Sequence, residues 1–333
     1  MKKILLSLIL FTGLLQISCS EDSVVDSSNV PTNNSVDVYV AGQKNSQACY
    51  WKNNQLVLLN SGGINAPTAN KIMVVNNDVY VLGIGVGTTT TETFPMFWKN
   101  GVLTNLKTSL SSADDEVVTV TDFEVVGNDV YFVGYTKRRV ITFEDYSLVY
   151  WKNGIKTTVH NYGGYVQNYS KIKVVNNTVY ITGTNNRDSS INGYYVNTVF
   201  NEIPFSTLNG LAVNNNEVYT YGTANNGGYY KNITTGSETS FPTVATVTSM
   251  LFDNNNLYLT DVASIYKNGA MFDAGQPQLG GIMDFKILNN NTYKIIQEGV
   301  APGYISHLTI NGVEAAQIPD SEGTFLSLFV VQN

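Results

Sequence analysis

Few side chains in this sequence have the type and spacing that chemistry needs. Lys137-Arg138-Arg139 is followed closely by Glu144-Asp145-Tyr146. Opposite charges on one loop could grip a ligand of mixed charge, or pair with each other across a hairpin tip. Tyr162, Tyr165 and Tyr169 share a Gly-containing stretch with Gln167 and Asn168. Such rings stack on sugars while amides bond hydroxyls, yet the same rings could cap an apolar core. Asp114-Asp115-Glu116 offers a hard cation such as Ca²⁺ several oxygens. Three successive acids rarely all reach one ion, so the plainer reading is a solvated acidic turn, and neither a metal nor a cofactor is expected. Asp122, Glu124 and Asp284 fall on apolar runs, where carboxylates about 5–10 Å apart would serve a glycosidase.

Other chemistry is thinly represented. The two histidines, His160 and His307, lie far apart in sequence, which disfavours a His-rich metal centre. No HExxH, GxSxG, P-loop, CxxC or Asp-box pattern occurs. Cys49 stands alone on an apolar run and reads as a small core residue. With two Cys in the chain, no disulfide framework is possible.

These residues are positioned by a repeating element. Asp122 to Val159 splits into DFEVV, DVYFVGY, SLVYW and IKTTV, with Gly127-Asn128 joining the first pair and Asn153-Gly154 the second. Asn and Gly tolerate φ > 0, so each junction reads as a two-residue hairpin and the whole as four antiparallel strands. Only 14 % of the residues are charged, with 28 Gly and 21 Tyr, a composition of a turn-rich β protein.

Seven such segments centre on Tyr39, Tyr80, Tyr131, Tyr180, Tyr219, Tyr258 and Tyr293, at intervals of 35 to 51 residues. This is the period of a propeller blade. In the first five copies a Gly three places after the Tyr reads as the bend or end of the second strand. An apolar run precedes every Tyr but the first, and the missing run stands at the C-terminus as Phe325 to Asn333. The expectation is an all-β, seven-bladed β-propeller of four-stranded antiparallel blades over 36–333, its ring closed by strand 325–333 completing blade 1. Closure hides edge strands that an open array would expose.

The third strands read CYWKNN, MFWKNG and VYWKNG in the first three copies. Three Trp at one structural address pack between blades more naturally than they stack on a ligand, and the Lys of each turn reads as solvated. These YWKNG repeats resemble those of Bacteroidota cell-envelope lipoproteins. The resemblance covers about Asp37 to Asn333, and it implies a location and a fold but no activity.

The N-terminus agrees with that location. Lys2-Lys3 precedes an apolar Ile4 to Leu15, too short to span a membrane comfortably, and Ser18-Cys19 then resembles a bacterial lipobox. Residues 1–18 read as a lipoprotein signal peptide, Cys19 as the lipidated residue, and 19–35 as a polar tether. Ser20-Glu21-Asp22 resembles a surface-export signal of that phylum, and Asp22-Ser23-Val24 resembles its O-glycosylation site. The expected location is the outer membrane, facing outward, with membrane attachment by the lipid alone. Loss of Lys2 and Lys3 leaves 17 basic against 26 acidic residues, a balance that opposes binding to nucleic acid.

In such a ring the first-to-second and third-to-fourth turns share one face, the turn face. The second-to-third loops and inter-blade connections share the other, the loop face. The loop-face segments are longest in blades 2 to 4: Gly85 to Pro95, Thr136 to Ser147 and Thr184 to Asn192, with connections Asn60 to Asn70, Lys107 to Thr121 and His160 to Ser170. Long, varied loops carry recognition. The expected partner is a glycan or an envelope protein, and the candidate contacts are Tyr162, Tyr165, Tyr169, Arg138, Arg139, Asp145 and Tyr146. An enzyme with acids at the channel mouth and a structural subunit of an outer-membrane complex are the alternatives. Oligomeric state is not legible.

Overall fold

The computed structural model describes residues 36–87, 92–139, 144–164, 169–185, 192–204, 206–224, 227–274, 280–299 and 303–333. The leader, Cys19 and the tether therefore lie outside the described residues. What is described forms seven four-stranded sheets. Blade 3 is representative: Glu116–Val126, Asp129–Arg139, Glu144–Lys152 and Ile155–Asn161 pair in sequence order. First strands neighbour one another in a closed circle and so line the central channel. The molecule is a seven-bladed β-propeller.

Blade 1 is built from both ends of this domain. Val36–Lys44, Gln47–Lys52 and Gln55–Leu58 supply three strands, and Gly323–Gln332 supplies the innermost. The closing pair runs from Val36 opposite Gln332 to Lys44 opposite Gly323. The C-terminal run thus completes the ring as the sequence predicts.

Turn chemistry sets the register. Asn76 and Asn77 have φ of 52° and 67°, and Asn153 and Gly154 have 50° and 85°. Two successive positive φ values define the type I′ hairpin, whose twist matches that of the strands it joins. Asn153 does more than turn the chain. Its Oδ1 accepts from Val130 N at 2.9 Å and its Nδ2 donates to Asp129 Oδ1 at 2.7 Å, so the two hairpins of the blade are stapled together. Asn53 and Asn100 repeat the staple with Asp37 and Asp78.

The lysine before each of these turns keeps about half of its side chain in solvent, as the sequence reading has it, and is ion-paired as well. Lys52, Lys99 and Lys152 each lie 2.8 Å from the Asp at the start of their second strand. Each also sits 5.2–5.3 Å from the ring centre of the blade's repeated Tyr. The Asp, Tyr, Lys and Asn of the motif are one polar cluster on the turn face.

The repeated glycine is not the end of its strand, and a close backbone approach explains it. The second strands do not end there: Asp129–Arg139 runs five residues beyond Gly134. At that level the first strand bulges, and a Cβ on Gly134 would stand 2.1 Å from Thr119 O. Gly42, Gly83 and Gly222 meet the carbonyls of Thr324, Thr68 and Thr207 in the same way. Glycine is needed because a bulge presses backbone onto backbone.

The core lies between blades. Trp98 is fully buried with Tyr39, Ala41 and Ile72, across the boundary of blades 1 and 2. Trp151 is fully buried with Phe97, Phe123 and Phe132, one boundary further on. Trp51 meets Phe325 edge-on at 4.9 Å. The tryptophans are packing residues, as their shared address suggests.

Candidate functional site

Two regions concentrate polar side chains, the channel wall and the loop face. On the first strands, Ser327, Lys71, Asp122, Lys171, Gly210, Ser249 and Asp284 occupy one equivalent position in blades 1 to 7, each two residues before the residue that pairs with the repeated Tyr of the second strand. A first strand has no sheet partner on its channel edge, so its backbone groups there need other partners. Side chains at this position supply them from the preceding blade. Asp122 Oδ2 accepts from Ile172 N at 3.0 Å, and Asp284 Oδ2 accepts from Leu328 N at 2.7 Å. Lys71 Nζ donates to Phe123 O at 2.7 Å and to Asp122 Oδ1 at 2.6 Å.

The channel carboxylates Asp122, Glu124 and Asp284 are charge-paired. Asp122 is 3 % exposed, and burial pushes its carboxyl up. Lys71, Lys171 and the Ile172 amide outweigh that and hold it below its ordinary value. Glu124 contacts Lys173 at 2.8 Å and Asp284 contacts Lys286 at 2.7 Å. A general acid must hold a proton at working pH, and Asp122 is held in the opposite state.

Blade 5 breaks the pattern. Gly210 has no side chain to offer, and the ring of Tyr221 from the second strand covers it. The hydroxyl stands 2.3 Å from where a Gly210 Cβ would be. Tyr221 is buried, which pushes its phenol well above the ordinary range, and the charges of Asp122 and Asp284 push it in the same direction. It is therefore a neutral hydroxyl.

On the loop face, a groove of about 650 Å³ opens between blades 1 and 2. The turn Asn45-Ser46-Gln47 forms one wall and the connection Leu58 to Pro67 the other. Its polar groups are amides (Asn45, Gln47, Asn60, Asn65) and hydroxyls (Ser46, Ser61), with Ile64 and Pro67 between them. No ionisable side chain lines it.

The loops of blades 3 and 4 carry the residues singled out from sequence. Thr136 to Ser147 is mostly strand rather than loop, with Arg138 opposite Asp145 and Lys137 opposite Tyr146. Lys137 pairs with Glu144 at 3.2 Å and Arg138 with Asp145 at 3.1 Å, so these charges bond each other across the hairpin. Asp145 is buried; Asn161 donates to its Oδ2, while its Oδ1 has no partner among the described residues. Tyr146 is buried and its hydroxyl donates to Glu144. Tyr162 is buried too, with its hydroxyl donating to Thr184 O at 2.9 Å. Tyr169 is 77 % exposed. Tyr165 and the side chain of Arg139 lie outside the described residues.

In the acidic run, Asp115 pairs with Lys156 and Glu116 with Lys107, while Asp114 is exposed. Among the described residues no cluster of His, Cys, Asp and Glu could hold a metal ion. The groove and the lysines of the channel wall were not singled out in the sequence. The lysines left a signal, since KIMVV, DFEVV, KIKVV and DFKIL begin with a charge at one position. The groove left none.

No protein-family model matches the chain, and no curated protein does. Among solved structures, Pyrococcus horikoshii acylaminoacyl peptidase aligns with a TM-score of 0.49 at 11 % identity, over 85 % of this chain and 50 % of that one. The β-propeller domain of the Trilobed protease from Pyrococcus furiosus aligns at 0.47 and 9 %, over 88 % of this chain and 95 % of that one. Apo AztD from Citrobacter koseri aligns at 0.48 and 9 %, over 90 % and 98 %. The chain spans about half the length of the acylaminoacyl peptidase it matches. Likeness this distant says nothing of chemistry, and the propeller stands on its own sheet order.

Proposed function

We propose that this chain is a surface-exposed lipoprotein of the outer membrane whose propeller is a binding module, recognising a glycan through its loop face. The groove between blades 1 and 2 carries the reading. Neutral amides and hydroxyls interleaved with apolar side chains suit a ligand that is itself neutral and rich in hydroxyls. The exposed ring of Tyr169 supports a wider recognition surface reaching blade 4. The paired channel acids favour binding over hydrolysis, because each carboxylate already has a lysine partner.

Chain direction supports the orientation. Val36 pairs with Gln332 at the turn-face end of blade 1. A chain anchored at Cys19 would therefore enter the propeller on its turn face, which keeps the attachment off the loop face.

The test is a glycan array with the soluble form starting at Ser35, run with and without Ca²⁺. Binding lost in Gln47→Ala and Asn65→Ala supports the groove. Binding lost only in Tyr165→Ala moves the site to blades 3 and 4. No binding by folded protein rejects the glycan and leaves a protein partner, to be sought in envelope extracts.

A further inference from the structure

Lys71 and Lys171 occupy the same position in blades 2 and 4, and only one of them has its counter-ion. Lys71 faces the next blade and finds Asp122 at 2.6 Å. Facing the next blade from Lys171, the equivalent residue is Gly210. No carboxylate among the described residues lies within ion-pair distance of the Lys171 ammonium. Asp122 senses Lys171 at longer range, but its oxygens are already engaged by Lys71 and Ile172 N. The next amide around the channel also lacks its carboxylate. Ile172 N bonds Asp122 and Leu328 N bonds Asp284. Met250 N stands at the corresponding place after Gly210, and no side chain among the described residues accepts from it.

The sector of blades 4 to 6 thus holds the cation, the neutral Tyr221 hydroxyl, whose oxygen accepts from Ser249 and keeps its proton to donate, and an edge amide that a carboxylate serves elsewhere in the ring, without the carboxylate. Lys171 is exposed and stands at the channel-wall position that Lys71 holds in blade 2. We infer that this sector is a seat for a ligand carboxylate, such as that of a uronic acid, with Lys171 as its ion-pair partner and Tyr221 and Met250 N as its donors. The seat is distinct from the loop-face groove, which carries no charge. The carboxylate is the favoured oxyanion because the ring itself uses one in blades 3 and 7.

The experiment titrates the full chain with galacturonate, and with galactose as the same ring lacking the charge, by isothermal titration calorimetry. Galacturonate is expected to bind saturably, galactose not to compete for it, and added salt to weaken the binding. Lys171→Gln is expected to weaken galacturonate at least ~10-fold, the loss of one charged hydrogen bond, whereas Lys171→Arg retains it. Because Lys171 is exposed, both variants should keep the wild-type melting temperature. Tyr221→Phe should weaken binding severalfold with the charge intact. Equal affinity in wild type and Lys171→Gln, competition by galactose, or no saturable binding by the folded wild type would each overturn the seat. Failure of the seat leaves the groove untouched, since the array with Gln47→Ala and Asn65→Ala tests different residues.

Discussion

Replacing Asp122 by Asn removes one negative charge from the channel wall while keeping the shape. The Asn oxygen can still accept from Ile172 N, now 3.0 Å from Asp122 Oδ2. What is lost is the charge facing Lys71 Nζ at 2.6 Å. A charged hydrogen bond contributes about 1.5–3 kcal/mol. The Lys71 side chain keeps 26 % of its surface exposed, so water softens the loss. We therefore expect about 2 kcal/mol, read as a drop of roughly 3 °C in melting temperature for a domain of some 300 residues.

The pH dependence makes the test sharper. Asp122 titrates below its ordinary value in the folded state. Its contribution is thus complete above the unfolded pKa of about 3.9 and is lost as pH falls through the lower folded value. The gap between wild type and Asp122→Asn should be constant from roughly pH 7 to 5 and close on further acidification. Melting curves by circular dichroism across that range suffice. A gap below about 0.5 kcal/mol at pH 7, the level of an ordinary surface change, or a gap that widens in acid, would refute the claim that this ion pair stabilises the ring.

Two further expectations concern the scaffold. Gly134→Ala should destabilise by more than about 2 kcal/mol, because its Cβ meets the Thr119 carbonyl rather than a movable side chain. Gly154→Ala, at φ 85° with open space around it, should cost only about 1 kcal/mol, and chemical denaturation of the pair checks the contrast. Cys49 is fully buried, and burial pushes its thiol up to about 12. A thiol reagent at pH 8 should react with it only after denaturant is added, and prompt reaction of the native domain would contradict the packing described.

The fold was legible because its signals are local. Strand alternation and the Asn-containing turns live within a few residues, their recurrence around each Tyr counts the blades, and the ring closure followed from one missing run found at the other end. Readings that depend on a neighbouring strand were settled only by the structure. Gly134 reads as a bend or end until the bulge opposite it is seen, and the Asp129 partner of the exposed Lys152 appears only once the two strands are set side by side. For the charged run of blade 3, where sequence left a ligand grip and a self-paired hairpin both open, the register settles on the hairpin, with Arg138 opposite Asp145. The groove could not be read at all, because it depends on the course of Leu58 to Pro67, which tertiary packing sets.

The strand exchange of blade 1 has a mechanical side. The strand that continues from the N-terminal segment is Val36–Lys44, and it is not an edge: Gly323–Gln332 flanks it on one side and Gln47–Lys52 on the other. Tension on the chain ahead of Val36 acts along this strand, while its cross-strand bonds lie perpendicular to it. Such a pull shears the bonds on both sides together instead of opening them one at a time. Were the exchange reversed, with the N-terminal segment leading into the innermost strand, the same pull would load a strand bonded on one side only. The route by which the chain closes its ring thus places a strand held on both sides where such a pull would arrive.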